Sequence, residues 1–114
     1  MKTYTVRTEL RTPVHCPVFC FSNSAVINGM VWDLSATGWR ATLARPVPVG
    51  LEKSVFMTLR DGNNGYPIFI DAAIVRWTHG CEAAWEITRT DEWTRTRLTN
   101  FLERCQREDK ARET

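Results

Sequence analysis

Apolar and polar residues alternate in short runs along most of the chain, which is the pattern of β-strands with one buried face. Residues that favour turns, such as Gly, Pro, Asn and Asp, separate these runs. The predicted strands cover residues 14–21, 26–35, 39–44, 55–59, 68–77 and 81–87. Six short strands with this even spacing are typical of a small all-β barrel or sandwich.

The period of two also assigns a face to each strand residue. Asp33 and Ser35 fall on one side of the second strand, and Trp32 and Leu34 fall on the other. Pro17 lies inside the first strand, which we expect at a sheet edge because proline cannot donate to a ladder. The tryptophans fall mostly on core-facing positions, so we interpret them as packing residues of the barrel. They are Trp32, Trp39, Trp77, Trp85 and Trp93.

The period changes in the last segment, where apolar residues recur at the spacing of one helix face. These residues are Leu98, Phe101, Leu102 and Cys105. Thr90 or Asp91 is suited to cap such a helix, which we expect to dock across the barrel. A single domain of 114 residues follows. Its parts are a polar leader (1–13), expected to be mobile without ligand, a barrel (14–88), a C-terminal helix (91–106) and a solvated tail (107–114).

The composition narrows the class of function. The formal net charge is only +2, which argues against a protein that coats nucleic acid through bulk charge. Most of the 15 basic residues are Arg, whose flat guanidinium group binds phosphates and guanine edges better than Lys does. No apolar run approaches the length that crosses a membrane, and the first residues lack the apolar core of a signal peptide. We therefore expect a cytoplasmic protein that neither inserts into membranes nor binds nucleic acid.

The sequence contains few features that indicate a metal site or an enzyme active site. The cysteines form no Cys-x-x-Cys pair and have no His at zinc-ligand spacing, so we expect reduced, apolar core residues and no cofactor. They are Cys16, Cys20, Cys81 and Cys105. His15 and His79 lack a neighbouring nucleophile pattern, and no Walker-type or paired-carboxylate motif is present. We predict that the protein is not an enzyme.

Two short motifs carry the candidate binding chemistry. Asp33 and Ser35 offer a carboxylate and a hydroxyl that can accept the N–H donors of a guanine, and Gly38 removes a Cβ where a flat base could approach. A simple turn remains an alternative, because Asp and Ser often bond to nearby backbone and Gly often ends such turns. Arg7 and Arg11 could grip two phosphates, or one phosphate and a guanine edge. Their alternative is a solvated arm.

Taken together, these motifs resemble the paired signature of PilZ domains, the bacterial cyclic di-GMP receptors. That family carries Arg-x-x-x-Arg before the first strand and Asp/Asn-x-Ser-x-x-Gly some 20 to 30 residues later, on a six-stranded antiparallel barrel followed by a helix. Here the first motif is Arg7 to Arg11 and the second is Asp33 to Gly38, and the resemblance covers residues 6–104. It implies that the fold is a barrel, all-β with a C-terminal helix, and that the Arg loop folds over the ligand on binding.

The resemblance also assigns roles. It implies that Arg7 and Arg11 clamp phosphates and guanine Hoogsteen edges, that Asp33 and Ser35 hold the other guanine edge, and that Gly38 admits the base. Trp39 and Arg40, which follow directly, are secondary candidates. Trp39 stands where many members have a small residue, so it is either core or a stacking partner of the base.

The sequence departs from the family pattern at two further places, one of which affects the local backbone and the other the number of cations near the phosphates. Glu82 to Trp85 aligns with the usual Gly-x-x-Phe, which requires the barrel to absorb a bulkier Trp85. Val6 stands where many members have a further Arg, and fewer cations favour one bound nucleotide over an intercalated pair.

The sequence thus predicts a receptor that binds cyclic di-GMP without converting it and signals to a downstream effector protein. Two alternatives remain. One is a PilZ-like adaptor that binds proteins without the nucleotide. The other is a small barrel that binds single-stranded nucleic acid through exposed aromatic residues; the low net charge and the inward tryptophans disfavour it.

Overall fold

The computed structural model describes residues 11–21, 25–61 and 63–113, so most of the predicted leader, including Arg7, lies outside the described residues. It contains the six strands and the helix that the sequence predicts. The elements are β1 Thr12–Phe21, β2 Val26–Leu34, β3 Gly38–Leu43, β4 Glu52–Asp61, β5 Asn64–His79, β6 Glu82–Arg89 and α1 Glu92–Glu113. The helix runs past its predicted end at residue 106.

The strands close into an antiparallel barrel in the order β1-β2-β3-β6-β5-β4, which confirms the predicted fold class. The expected edge position of β1 is wrong, because β1 pairs with β2 along its length and with β4 from Val18 to Phe21. Pro17 lies just before the β4 ladder begins, so its missing N–H costs that ladder nothing.

Inward residues of all six strands form one core. The expected faces hold in β3 and β6, where Trp39 and Trp85 are buried and stack with ring centroids 6.0 Å apart. The barrel absorbs the bulk of Trp85 through this stack. For the other tryptophans the core prediction is wrong, because their exposed fractions are large. They are Trp32 at 40%, Trp77 at 44% and Trp93 at 68%.

The helix covers one part of the barrel, as predicted. Asp91 caps its first turn, where Oδ1 accepts a hydrogen bond of 2.7 Å from the Thr94 N–H, and this bond lowers the pKa of Asp91. Arg97 Nη1 donates a 2.9 Å bond to the Pro67 carbonyl of β5. The predicted apolar stripe joins the core through Leu98, Phe101 and Leu102, with Cys105 packed against it. Within the described ranges, no helix is long and apolar enough to cross a membrane.

All four cysteines lie within the described residues, and no disulfide joins any two of them. Cys16 and Cys20 are almost completely buried in β1, as predicted, whereas Cys81 and Cys105 are partly exposed. Burial raises the pKa of Cys16 and of Cys20 to about 12, because the apolar interior disfavours a thiolate. In the part of the chain that the structure describes, no group of three or more metal-binding side chains comes together.

The buried thiols predict a loss of stability at alkaline pH. An unfolded chain loses these protons near its ordinary pKa of 9.0, whereas the folded chain keeps them until about pH 12. The unfolded state then binds fewer protons, so the free energy of unfolding decreases across this range by up to about 1.4 kcal/mol per pH unit for each thiol. Urea denaturation at pH 8, 9 and 10 should show a steeper loss for the parent than for the Cys16→Ala/Cys20→Ala variant. Equal pH dependence would contradict this account.

Candidate functional site

Asp33, near the end of β2, lies between two arginines on the outer wall of the barrel. Arg11 Nη1 lies 2.8 Å from Asp33 Oδ1, and Arg40 Nη2 lies 3.2 Å from Oδ2. Arg40 is the direct cross-strand partner of Asp33 on β3. Its Nε lies 3.4 Å from Glu82 Oε2 on β6, within ion-pair range but without hydrogen-bond alignment. Charges therefore alternate across the wall from Arg11 to Glu82.

This ion-pair chain is open to solvent. The Arg11 and Arg40 side chains are 47% and 44% exposed, and the Asp33 side chain is 17% exposed. Exposed pairs of this kind contribute only about 0–1 kcal/mol to stability. The Arg11 guanidinium group can therefore exchange its partner at small energetic cost, whereas Arg40 lies near two carboxylates, Asp33 and Glu82.

A β-bulge in β2 determines which side chains accompany Asp33. The register passes from Val31 opposite Ala41 to Asp33 opposite Arg40, so Trp32 is an extra residue relative to β3. Because of this extra residue, Trp32 and Asp33 both face outward although they are adjacent in sequence. The strict alternation used in the sequence analysis fails here, which is why it assigned Trp32 to the core.

The Trp32 indole is fixed from both neighbouring strands. Its Nε1–H donates a 2.9 Å hydrogen bond to Thr42 Oγ1 on β3. From β1, the His15 ring packs against it with centroids 5.1 Å apart and planes tilted by 46°. Sequence reasoning found neither Trp32 nor His15 as a site residue. The nearest signal was their position beside the two motifs.

Ser35 does not share the outward surface of Asp33, contrary to the expectation from a period of two. β2 ends at Leu34, and Ser35 is only 1% exposed. Its Oγ donates to the Gly38 carbonyl at 3.3 Å and accepts from the Thr37 N–H at 3.3 Å, while its own N–H donates to the same carbonyl at 2.9 Å. The hydroxyl is therefore used inside the turn that joins β2 to β3, which is the alternative that the sequence left open.

The structure gives Gly38 a role in strand pairing that the sequence did not predict. A Cβ at this position would lie 2.1 Å from the Trp85 carbonyl oxygen and 3.2 Å from the Glu86 Cα, so the space it would take is already filled by β6. Glycine is needed here for close pairing of β3 with β6. This pairing sets the position of Arg40, two residues further along β3.

The two secondary candidates, Trp39 and Arg40, lie on opposite faces of β3. Trp39 is 1% exposed and packed on Trp85, so it is not available to stack on a ligand from outside the barrel. Arg40 faces outward on the wall, where its side chain is 44% exposed and pairs with Asp33. The structure thus brings Arg11, Asp33 and Arg40 together at the surface, with Ser35 and Gly38 shaping the turn behind them.

The sequence matches no protein-family model and no curated protein. Solved structures do resemble the fold. The Bacillus subtilis Inhibitor of motility (MotI/DgrA) matches with a TM-score of 0.77 and 18% identity over 100% of this chain, which spans 56% of the length of that protein.

Two PilZ domains also match. That of CeSA from a cellulose-synthesizing bacterium has a TM-score of 0.58 and 19% identity over 82% of this chain and 98% of its own. That of YcgR from Escherichia coli, solved with c-di-GMP, has a TM-score of 0.63 and 13% identity over 96% of this chain and 98% of its own. At these identities the similarity establishes the fold, which is that of a PilZ domain.

The packing of Gly38 predicts a large effect of a single methyl group. Gly38→Ala should destabilise the protein by about 2–3 kcal/mol or more, because the added Cβ overlaps a backbone carbonyl that cannot move alone. Gly65→Ala is a matched control, since its Cβ would meet only Thr58 Cγ2 at 3.5 Å, and it should change stability by less than about 0.5 kcal/mol. Urea denaturation compares the two variants. Similar stabilities would rule out the close-packing role of Gly38.

Proposed function

We propose that this chain, which has the fold of a PilZ domain, is a receptor that binds cyclic di-GMP on the barrel wall around Asp33. The single observation that carries the proposal is the 2.8 Å contact of Arg11 with Asp33, 22 positions apart in sequence. It joins the Arg-bearing motif to the Asp-bearing motif at one exposed place. The c-di-GMP in the solved PilZ domain of YcgR supports the choice of ligand.

The ligand and the protein offer complementary groups. A guanine presents N–H donors on one edge, which Asp33 can accept, and O6 and N7 acceptors on another, which suit a guanidinium group. The two phosphates of the messenger suit Arg11 and, as predicted from sequence, Arg7. Arg11 is half-exposed and its pair with Asp33 is weak, so it can leave the carboxylate for the ligand.

Arg40 then acts as a positioning residue. It holds Asp33 Oδ2 at 3.2 Å while Arg11 holds Oδ1. When Arg11 moves to the ligand, Oδ1 becomes free to accept from the guanine edge, and Arg40 keeps the carboxylate oriented. The guanine donors thereby replace the hydrogen bond that Arg11 gives up.

The same movement of Arg11 from Asp33 to the ligand provides a means of signalling. Closure of the Arg7–Arg11 segment over the messenger changes the surface that a downstream effector protein meets, so the ligand selects one surface over another. The role is that of a receptor and not of an enzyme. The proposal includes a cytoplasmic location, where glutathione and thioredoxin keep cysteines reduced, and it agrees with four cysteines that form no disulfide with one another.

A protein adaptor that needs no nucleotide is a second candidate. The observation that favours it is a pair of exposed phenylalanines on another part of the wall, Phe21 on β1 and Phe69 on β5, with ring centroids 6.5 Å apart. A nucleic-acid-binding barrel gains some support from the exposed Trp32, Trp77 and Trp93, although the net charge of +2 still disfavours it.

Calorimetric titration with cyclic di-GMP tests the proposed ligand, with GTP and cyclic AMP as controls. Arg11→Ala should weaken binding about 10- to 100-fold, which corresponds to the roughly 1.5–3 kcal/mol of a hydrogen bond to a charged group. Arg45→Ala is a matched control, because Arg45 is also exposed but lies beyond the end of β3 that is opposite to Asp33. The Arg45→Ala variant should bind cyclic di-GMP like the parent. Equal affinity of the Arg11 variant and the parent would refute this assignment.

Salt dependence separates a dinucleotide site from a strand-binding surface. Two phosphate contacts predict a loss of at most about tenfold in affinity between 50 and 200 mM salt, whereas six or more contacts to a single strand predict a loss of about 300-fold or more. Titrations of cyclic di-GMP and of a labelled single-stranded oligonucleotide at both salt concentrations measure this difference. Tight oligonucleotide binding with the steep dependence would favour the nucleic-acid alternative.

A further inference from the structure

The wall around Asp33 carries an aromatic surface that the proposed arginine and carboxylate contacts leave unused. Trp32 is 40% exposed, although it lies between two paired strands of a closed barrel. The bulge leaves both Trp32 and Asp33 on the outer wall. Thr42, which binds the indole, is two residues from Arg40, the cross-strand partner of Asp33, on the same face of β3. A base whose edge meets the carboxylate therefore lies within reach of the indole.

The orientation of this indole is set before any ligand arrives. Thr42 accepts its N–H at 2.9 Å, which satisfies the one polar group of the ring, and His15 packs on it from β1. A large aromatic ring held by two neighbours loses little freedom when a second ring stacks on it. Base–aromatic stacking tolerates any purine, because every base has a π-face.

Charge and shape at this place favour a base over an apolar protein side chain. Arg40 of the ion-pair chain lies on the same face of β3 as Thr42, the hydrogen-bond partner of the indole, so an occupant that covers the ring meets polar groups at its edge. A guanine does both, since it has hydrogen-bonding edges around a flat aromatic plane.

We propose that Trp32 stacks on the guanine of cyclic di-GMP whose edge is bound by Asp33. His15 and Thr42 hold the indole in position, and Trp32 supplies binding energy that the arginines and the carboxylate do not. The inference rests on the proposed function and identifies a ligand-contacting residue outside the two motifs.

The test combines affinity with fluorescence. Trp32→Leu should bind cyclic di-GMP about 5- to 100-fold more weakly than the parent, the range for loss of one base–aromatic stack. Trp32→Phe keeps an aromatic face and should retain most of the affinity, which separates stacking from loss of the Thr42 hydrogen bond. Saturating messenger should quench tryptophan fluorescence in the parent, and Trp32→Leu should lose this quenching.

Trp93→Leu is the control, because Trp93 is 68% exposed on the helix, where it packs against Arg97. It should keep both the affinity and the quenching of the parent, and a thermal melt of each variant verifies folding. If the parent binds and Trp32→Leu binds equally well with unchanged quenching, the stacking inference is overturned while the receptor function stands. If the parent does not bind cyclic di-GMP, the proposed function and this inference both fall.

Discussion

The carbonyl oxygen of Trp85 occupies the place where a side chain at residue 38 would begin, and the barrel depends on the glycine that leaves this place free. Around this contact the turn from β2 to β3 is tied together by the Ser35 hydroxyl, and the Ile87 N–H donates to the Thr37 carbonyl at 2.8 Å. Ser35 and Gly38 look like ligand contacts in the sequence, but in the structure they hold the turn from β2 to β3 and the pairing of β3 with β6. This packing places Arg40 where it can grip Asp33.

The candidate site on this barrel consists of weak ion pairs that are exposed to solvent. One carboxylate is shared by two guanidinium groups, one of which, Arg11, comes from just before β1 while the other is fixed on β3. Because exposed ion pairs contribute little, the arrangement costs little to rearrange. A rigid barrel with exchangeable charges on its wall suits a receptor, since the ligand has to compete only with contacts that are easily replaced.

Two of the register shifts in the barrel, one in β2 and one in β5, decide how much aromatic surface it presents. In β2 the bulge turns Trp32 outward, and in β5 the register shift between Val75 and Trp77 does the same for Trp77. A barrel whose tryptophans were all inside would offer only polar contacts around Asp33. The bulged wall instead combines charge with a fixed aromatic face, which is the combination that a purine requires.

The sequence by itself determined the six strands, the inward faces of β3 and β6, and the terminal helix with a cap at Thr90 or Asp91. These features follow from local periodicity and from residue types, which the sequence contains directly. Only the tertiary structure decided that β1 has no free edge, that Trp32 faces solvent, and that Ser35 and Gly38 serve the turn and the strand pairing. The reason is that a bulge or a close backbone approach depends on how a neighbouring strand pairs, and the alternation of residues along one strand does not contain that information.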